Sequence, residues 1–330
     1  MGPRRITKRS NGFVLVLVLC TIILLEVLLL GFNYRCRTNL RAVDHLQRSK
    51  QALNCATAGL HVAIAAIRST PNIREDKTLL ELLSGKQSFA VGQGQCSITV
   101  TEESGKLNVN LLKDKNGTLN RTATDRLLRL IDLLNREQAD DTNIGYGLAP
   151  AIIDWTDDDE EVTCLPFVER QNLGAESGYY STLDPPYRCK NKPLETIDEM
   201  LLIKDVTPEI MDRIRSYVTV HGDGKVNINS APKLVIESLS ENMDAAVAQI
   251  IVERRKMKPF ESVAELRDIP GMTDRIYEAV KDTITISPED HYYCVESTGG
   301  VDGFGWTIEA TLKRDPQIKS VEVLYYREHR

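Results

Sequence analysis

The chain has 330 residues, of which 42% are hydrophobic and 27% are charged, so it is long enough for two or three domains with cores of their own. The formal net charge of -6 argues against a protein that binds nucleic acid through an excess of basic residues. The seven cysteines include no C-x-x-C pair, which argues against a zinc ribbon or a thiol redox motif.

The N-terminal region joins a basic leader, residues 1–12, to a long apolar run, Phe13–Phe32. A helix of about 20 apolar residues crosses a hydrocarbon layer about 30 Å thick. A cleaved secretory signal would have a shorter apolar region that ends in small residues, whereas this run is followed by Asn33-Tyr34-Arg35. The pattern therefore predicts a membrane-spanning helix over residues 13–33.

One acidic residue, Glu26, lies in this run. An unpaired carboxylate within a bilayer is costly, so we expect Glu26 to be neutral, to reach toward the interface or to face another protein helix. Basic residues flank the run on both sides, so their number does not determine its orientation. They are Arg4, Arg5, Lys8 and Arg9 before the run and Arg35, Arg37 and Arg41 after it.

Residues 34–70 are predicted to continue the same helix. No Pro or Gly occurs between Thr38 and Gly59, and apolar side chains recur at helical spacing. The stretch Thr70-Pro71-Asn72 is predicted to end the helix. The sequence therefore indicates one helix of more than fifty residues, which begins in a membrane and finishes against a folded domain.

Alternating apolar and polar residues predict strands in two later regions of the chain. Phe89–Glu103 is the first strand, and His291–Tyr326 contains three more. Gly299-Gly300 and Asp302-Gly303 are predicted as turns within the second region. We expect these strands to pair into one antiparallel sheet that lies over the long helix.

The chain between the strands is mainly helical, with a clear helical run at Ala123–Arg136, and it contains an internal repeat. Residues 193–214 align without gaps on residues 259–280 at an offset of 66. Gly105–Asn110, GKLNVN, aligns in the same way on Gly224–Asn229, GKVNIN. This self-similarity predicts two copies of one small helical module, inserted in the sheet.

We define repeat one as residues 105–220 and repeat two as residues 224–286. Repeat two resembles the helix-hairpin-helix modules of DNA-binding proteins, which present backbone amides and basic side chains to phosphate. Over Lys225–Asp282, however, nine Lys and Arg residues stand against ten Asp and Glu residues. This balance favours a scaffold for protein contacts, and DNA binding through the basic run 254–256 is the alternative.

Repeat one contains an acidic loop, residues 151–192. Like charges that lie this close need a counter-ion or full exposure to water, so the alternatives are a cation site and a solvated loop. Carboxylate oxygens suit Ca²⁺, although the EF-hand spacing is absent. None of the five histidines lies in the loop, and no G-x-S-x-G, P-loop or H-E-x-x-H motif occurs, so we expect no enzyme. The crowded carboxylates are Asp154, Asp157, Asp158, Asp159, Glu160 and Glu161.

Two cysteines, Cys164 and Cys189, bracket the loop-rich part of this segment. In an oxidising compartment they are candidates for a disulfide, and buried thiols are the alternative. Cys96 and Cys294 both lie in predicted strands and form a second candidate pair.

The leader and the apolar run resemble the class III signal of type IV pilins and type II secretion pseudopilins. In that family a membrane peptidase cuts after a small residue, here Gly12, and methylates the new N-terminal residue, here Phe13. Most members carry Glu at the fifth position after the cut, where this chain has Leu17. The K subunit of type II secretion is the pseudopilin that lacks this Glu, and a filament tip needs no pairing above it.

The acidic loop adds a second resemblance. D-W-x-D-x-D at residues 154–159, then Gly174-Ala175-Glu176, Tyr179-Tyr180 and Pro185-Pro186-Tyr187-Arg188, is similar to the signature segment of the K pseudopilins. With the motif V-N-I-N-S-A-P at residues 226–232, the likeness covers nearly the whole chain. The sequence thus resembles the type II secretion system minor pseudopilin K family, also called general secretion pathway protein K.

The resemblance implies an α+β fold in which a pilin-like long N-terminal helix packs on an antiparallel sheet. A large inserted helical domain is made of two helix-hairpin-helix-like (SAM-like) repeats. The expected parts are a leader removed at 1–12, a transmembrane helix at 13–33, the periplasmic part of the helix at 34–70, the sheet at 71–104 and 287–330, and the insertion at 105–286.

The resemblance also implies a structural Ca²⁺ site at Asp157, Asp159 and Glu176, with Asp154 and Asp184 as further candidates. The implied function is a minor pseudopilin at the tip of the type II secretion pseudopilus. It would start pseudopilus assembly, for export of folded proteins across the outer membrane. Implied partners are minor pseudopilins I and J and the prepilin peptidase, with secreted cargo and the inner-membrane assembly platform as further candidates. Nucleic acid is not expected as a partner.

The implied location is the inner membrane, crossed once, with the C-terminal domain in the periplasm. Two other functions stay open at this point. One is a minor pilin of a related type IV pilus system, and the other is a membrane-tethered helix-hairpin-helix DNA-binding protein.

Overall fold

The computed structural model describes residues 11–69, 81–83, 85–114, 117–137, 143–169, 172–315 and 320–330, with side chains from residue 13 onward. The helices are α1 Asn11–Ser69, α2 Arg121–Glu137, α3 Leu148–Thr156, α4 Ser177–Tyr180, α5 Pro208–Ile214, α6 Lys233–Ser238, α7 Ala245–Met257 and α8 Asp274–Val280. Short 3-10 helices lie at Glu103–Gly105, Val109–Leu111, Ile197–Leu202 and Val263–Asp268. The strands are β1 Gln87–Val91, β2 Gly94–Glu102, β3 Leu107–Asn108, β4 Val218–Thr219, β5 Val226–Asn227, β6 Ile284–Thr285, β7 His291–Val301, β8 Phe304–Asp315 and β9 Ser320–His329.

Helix α1 is continuous over 59 residues, which confirms the prediction of one helix longer than fifty residues. In the part of the chain that the structure describes, it is the one helix long and apolar enough to span a bilayer. From Phe13 to Gln47 every residue is exposed except the half-buried Cys36, and near the end of this part the ring of His45 lies 5.3 Å from the ring of Phe304 on β8. The predicted stop at Thr70-Pro71-Asn72 lies outside the described residues.

The main sheet has five antiparallel strands in the order β1-β2-β7-β8-β9. The alternating pattern predicts one antiparallel sheet, which is confirmed, but it predicts only four strands. Two details of the prediction are wrong. The expected strand Phe89–Glu103 is a hairpin, because Gly92 has a φ of 58° and turns β1 into β2. Gly299-Gly300 is not a turn but lies inside β7, whereas Asp302 and Gly303 do form the turn to β8.

Helix α1 packs closely on this sheet because a glycine on each side of the contact leaves room for the other element. A Cβ on Gly299 would lie 2.1 Å from the carbonyl oxygen of Ala52, and one on Gly59 would lie 2.3 Å from Cys96 Sγ. Ser297 Oγ donates a hydrogen bond to the carbonyl oxygen of Ala56 at 2.7 Å. Small side chains therefore fix how near the helix approaches the strands.

The helical region is inserted between β2 and β7, and contacts at several points join it to the sheet. Asn227 Nδ2 donates to Glu102 Oε1 at 3.0 Å. Asp198 in the helical region accepts hydrogen bonds from Arg327 at 2.8 Å and from Tyr325 at 3.3 Å, and both donors lie on β9. The inserted region is thus tied to the sheet by side chains as well as by its two ends.

The two repeats of the inserted region share a hydrogen-bond pattern. In each, one asparagine side chain binds the backbone N–H and carbonyl of one residue and the carbonyl of another, with distances of 2.8–2.9 Å in repeat one and 2.8–3.3 Å in repeat two. Each repeat also pairs two short parallel strands, β3 with β4 and β5 with β6. Their helix-hairpin-helix class stays a prediction. The equivalent residues are Asn110 and Asn229, Leu194 and Phe260, and Val220 and Ile286.

All seven cysteines are free, so neither predicted disulfide is formed in the structure. Cys164 is exposed, whereas the thiol of the buried Cys189 donates to the carbonyl oxygen of Asp154 at 3.2 Å. Cys96 lies opposite Gly299 on the face of the sheet that meets α1, while Cys294 lies on the other face. The alternation of side chains along β7 therefore separates this second pair.

Candidate metal site

The first residues of the acidic loop of repeat one belong to helix α3, which lies in the protein interior. Its sequence, LAPAIIDWT, is apolar nearly all round, and the helix is buried except at Thr156. Asp154 is therefore fully buried, with Oδ1 accepting the N–H of Thr163 at 2.9 Å. The N–H of Asp157 bonds to the carbonyl oxygen of Ile153 at 3.0 Å and ends the helix, so the next acids lie at its C-terminal end.

Three aromatic residues hold the loop against α3. The rings of Trp155 and Tyr180 meet edge to face with centroids 5.0 Å apart, and Tyr187 stacks on Tyr180 at 5.3 Å. Tyr180 is fully buried, and its hydroxyl accepts the N–H of Lys204 at 3.2 Å. The aromatic residues singled out in the sequence thus form the small core that positions the carboxylates.

Three of the predicted ligands come together. Asp157, Asp159 and Glu176 each offer a carboxylate oxygen, and these oxygens lie within 4.8 Å of one another. Asp154 lies buried beside them, close enough for its charge to act on Glu176. Asp184 is exposed and is not part of this group.

Several carboxylate oxygens in this cluster are buried without a hydrogen-bond partner among the residues that the structure describes. They are both oxygens of Glu176, Oδ1 of Asp157 and Oδ2 of Asp154. Glu176 is only 4% exposed, so it is shielded from bulk solvent. An unpaired buried carboxylate is strongly unfavourable unless a cation or a proton compensates it.

The same crowding shows in the acidity of these groups. Burial raises the pKa of Asp154 and of Asp157 above the usual range. Burial, and then the negative charges of Asp154 and Asp157, raise the pKa of Glu176 to about 8. At neutral pH the cluster therefore keeps a proton on Glu176 unless a metal cation takes its place.

Lys113 is the one residue of the site that sequence reasoning missed. Its Nζ contacts Asp157 Oδ2 and lies 3.7 Å from Asp159 Oδ2. One positive charge faces at least three carboxylates here, so Lys113 offsets only part of the repulsion. Lys113 is 44 residues from Asp157 in the chain, and no local pattern marks it as a partner.

Gly174 allows the loop to pass directly over Asp154. A Cβ at Gly174 would lie 2.1 Å from Asp154 Oδ2 and 2.6 Å from the carbonyl oxygen of Pro150. We expect Gly174→Ala to lower the free energy of unfolding by about 1–3 kcal/mol, because the methyl group must displace the loop or the carboxylate. Urea unfolding followed by circular dichroism measures this loss.

The matched control for that change is Gly178→Ala. A Cβ at Gly178 has no atom within 4 Å, and the residue lies in α4. We expect this variant to keep the stability of the wild type or to gain a little. Equal losses for the two variants would show that Gly174 has no special steric role.

The chemical type of the ligand atoms determines which metal ions this site can bind. Carboxylate oxygens are hard ligands that suit Ca²⁺ or Mg²⁺ rather than Zn²⁺ or copper. Asp157, Asp159 and Glu176 supply three such ligands, and Asp154 is the nearest further one. No histidine lies in residues 151–192. The hydroxyl of Ser177 donates to Glu160 Oε1 at 2.9 Å, outside the group of Asp157, Asp159 and Glu176, so that group offers carboxylate oxygens that suit binding of a hard cation.

Comparison with known proteins places this region in one family. Two family models, both described as Type II secretion system (T2SS), protein K, match residues 105–223 and 226–287, and together they cover more than half of the chain. Three proteins named Type II secretion system protein K are also similar. The one from Pseudomonas aeruginosa is 24% identical over 263 residues, 77% of this chain and 75% of its own length.

The protein from Klebsiella pneumoniae is 22% identical over 293 residues, 85% of this chain and 86% of its own length. The one from Aeromonas hydrophila is 24% identical over 242 residues, 68% of each chain. Among solved structures, a chain of the GspK-GspI-GspJ complex from the enterotoxigenic Escherichia coli Type 2 Secretion System matches with a TM-score of 0.66 and 20% identity. The match covers 88% of this chain and 99% of that one, so the two share a fold.

Proposed function

Because this chain belongs to the type II secretion system protein K family and is a minor pseudopilin of that system, we propose that it forms the tip of the pseudopilus. In this role it starts assembly of the filament that exports folded proteins across the outer membrane. The observation that carries the proposal is the exposure of the first half of α1. The apolar residues Phe13–Phe32 are exposed, whereas the second half of the helix packs on the sheet, so an apolar helical segment is left to pack beside other subunits.

The proposed partners are the minor pseudopilins I and J. The solved structure that shares this fold is a complex of GspK with GspI and GspJ. Small residues already bring α1 close to its own sheet, so the opposite side of the helix stays available to neighbouring helices. Further candidate partners are the assembly platform in the inner membrane and secreted cargo.

The apolar start of α1 fits a single-pass membrane anchor. We propose that residues 13–33 cross the inner membrane and that the folded C-terminal domain lies in the periplasm. The prepilin peptidase would cut between Gly12 and Phe13, after which Phe13 is methylated. The leader residues 1–10 lie outside the described part of the chain.

Two features support a place at the tip. The fifth residue after the proposed cut is Leu17, so a carboxylate that would pair with the amine of a neighbouring subunit is missing. The inserted region between β2 and β7 adds a second, helical part to the folded domain. This part would block the addition of a further subunit above this one.

We propose a structural role for Ca²⁺ at Asp157, Asp159 and Glu176, with Asp154 as a further ligand. The unpaired buried oxygens of this cluster support it, because a divalent cation removes the cost that they otherwise carry. When bound, the ion supplies charge neutralisation. Trp155 and Tyr180 hold the loop in place around the carboxylates.

We propose neither catalysis nor nucleic acid binding. The family is a structural component of the secretion system. Two of the three basic residues once considered for DNA are engaged within the fold: Arg254 lies 3.6 Å from Glu265, and Arg255 donates to the carbonyl oxygen of Ile228 at 2.6 Å. Arg255 is half-buried, and this burial lowers the pKa of its guanidinium group to about 10.

Co-purification tests the proposed function. We expect residues 34–330 to form one complex with the soluble domains of I and J, containing one copy of each, because a tip subunit has no second copy beside it. Size-exclusion chromatography with light scattering measures the mass of this complex. A chain that stays monomeric with both partners at tens of micromolar would contradict the proposal, and mixtures with I alone and J alone serve as controls.

A further inference from the structure

The apolar start of α1 contains a single charged side chain, Glu26. No other Asp, Glu, Lys or Arg occurs between Phe13 and Tyr34. Glu26 is exposed, and it makes no hydrogen bond or ion pair with any residue that the structure describes. The side chains that line the surface beside it are aliphatic: Ile22, Leu25, Leu29 and Leu30.

The position of Glu26 along the helix places it deep in a membrane. It lies about 20 Å from Phe13 and about 14 Å from Arg35, at a rise of about 1.5 Å per residue. Long Lys and Arg side chains reach the interface only from near the ends of a span, and glutamate is shorter. In a span of residues 13–33, Glu26 lies about 10 Å inside the nearer end, which is farther than its short side chain extends toward water.

We propose that Glu26 is a contact residue between membrane-spanning helices and that it pairs with a Lys or Arg on the spanning helix of another protein. The proposal rests on the membrane placement of α1 given under the proposed function. In the hydrocarbon region a charged side chain persists when it faces a partner of opposite charge. Ile22, Leu29 and Leu30 lie on the same side of the helix as Glu26 and would pack around the pair.

Charge argues against a second copy of this chain, and against a lipid, as the partner of Glu26. A second parallel copy of this chain would bring Glu26 against Glu26, and its nearest basic residue, Arg35, would lie about 14 Å away along the axis. Lipid phosphates carry negative charge, and lipid amines lie at the interface rather than at the depth of Glu26. The charge and depth together fit a basic residue of a different spanning helix.

Photo-crosslinking in membranes tests the proposal in the full-length protein. A photo-reactive residue at position 22 lies on the side of Glu26, and one at position 28 lies about 200° away from residue 26, on the opposite side. We expect position 22 to give an adduct with a spanning helix that carries Lys or Arg at the depth of Glu26. The yield should fall about tenfold in Glu26→Gln and in Glu26→Leu.

A composition-matched variant controls for hydropathy. Glu26→Leu combined with Leu28→Glu keeps one carboxylate at nearly the same depth but moves it to the opposite side, and we expect it to lose the adduct as well. Glu26→Lys should lose the adduct, and exchange of the identified basic residue for Glu in the partner should restore it.

Three results would overturn the proposal: no adduct from position 22 that depends on Glu26, an adduct helix without a basic residue, or full yield in Glu26→Gln. Co-purification of residues 34–330 with the soluble domains of I and J does not involve Glu26. Loss of that complex would contradict the proposed function, whereas its survival with any of these three results would contradict this inference alone.

Discussion

Chelation of calcium is expected to lower the melting temperature of residues 34–330 by about 5 to 10 °C. A ligand at about 100 times its Kd stabilises the folded state by about 2.7 kcal/mol, and in a chain of this size each kcal/mol shifts the midpoint by about 2–4 °C. The physical cause is the group of Asp157, Asp159 and Glu176, in which Oδ1 of Asp157 and both oxygens of Glu176 are buried without a hydrogen-bond partner among the described residues. Differential scanning calorimetry with EDTA and with millimolar CaCl₂ measures the difference.

Two substitutions separate this effect from a general action of the chelator. Glu176→Gln keeps the shape and removes a charge that the apo protein already disfavours, because the pKa of Glu176 is raised to about 8 by burial and nearby carboxylates. We expect the variant to be at least as stable as the wild type in EDTA at pH 8, yet to gain little from calcium. Asp184→Asn, at an exposed position outside the cluster, should keep the full response to calcium.

An unchanged melting curve on chelation of the wild type would mean that the cluster binds no calcium of structural importance. In that case Lys113 and a proton on Glu176 would be its only compensation. An equal loss of response in Asp184→Asn would place the ion elsewhere on the acidic loop.

Gly299→Ala is expected to lower the free energy of unfolding by about 3 kcal/mol or more. The new methyl group would lie 2.1 Å from the carbonyl oxygen of Ala52 and 2.4 Å from the backbone nitrogen of Ala56. Both obstacles are backbone atoms of α1, so no side-chain rotation relieves the clash and the helix must move away from the sheet. Urea unfolding of residues 34–330, and the yield of folded protein, measure the effect.

The neighbouring glycine gives the control. A Cβ on Gly300 has its nearest atom at 3.9 Å, because the side chain would point to the other face of β7. We expect Gly300→Ala to change the stability by less than about 0.5 kcal/mol. If Gly299→Ala were tolerated equally well, the close packing of α1 on the sheet would not be a requirement of the fold.

Local sequence patterns were sufficient to predict the helices and strands whose apolar residues recur with one clear period. The apolar run and the stripe after it predicted α1, and the alternation in the last part of the chain predicted β7, β8 and β9. The alternation of Phe89–Glu103 hid the turn at Gly92, because a two-residue hairpin hardly disturbs a period of two. Gly299-Gly300 is predicted as a turn because the local sequence does not show that helix α1 packs directly over Gly299.

The candidate site was predictable only in part. Asp157, Asp159 and Glu176 were named from a resemblance, and the structure brings them together, whereas Asp184 lies outside the group. Lys113 comes from a distant part of the chain, so its role depends on the tertiary fold. The pairing of Cys164 with Cys189 is predicted from their positions around a loop; both thiols are free in the structure, and that of Cys189 donates to the carbonyl oxygen of Asp154.

The positions at which the inserted region joins the sheet indicate how the protein could be shortened. Glu102 at the end of β2 lies opposite Tyr293 near the start of β7. The inserted region therefore begins and ends at neighbouring positions of the same strand pair. A short turn between these strands would close the same ladder with the inserted region deleted. Deletion of the residues between Glu102 and His291, with a short turn in their place, is therefore expected to leave a smaller subunit with the same strand order in the main sheet.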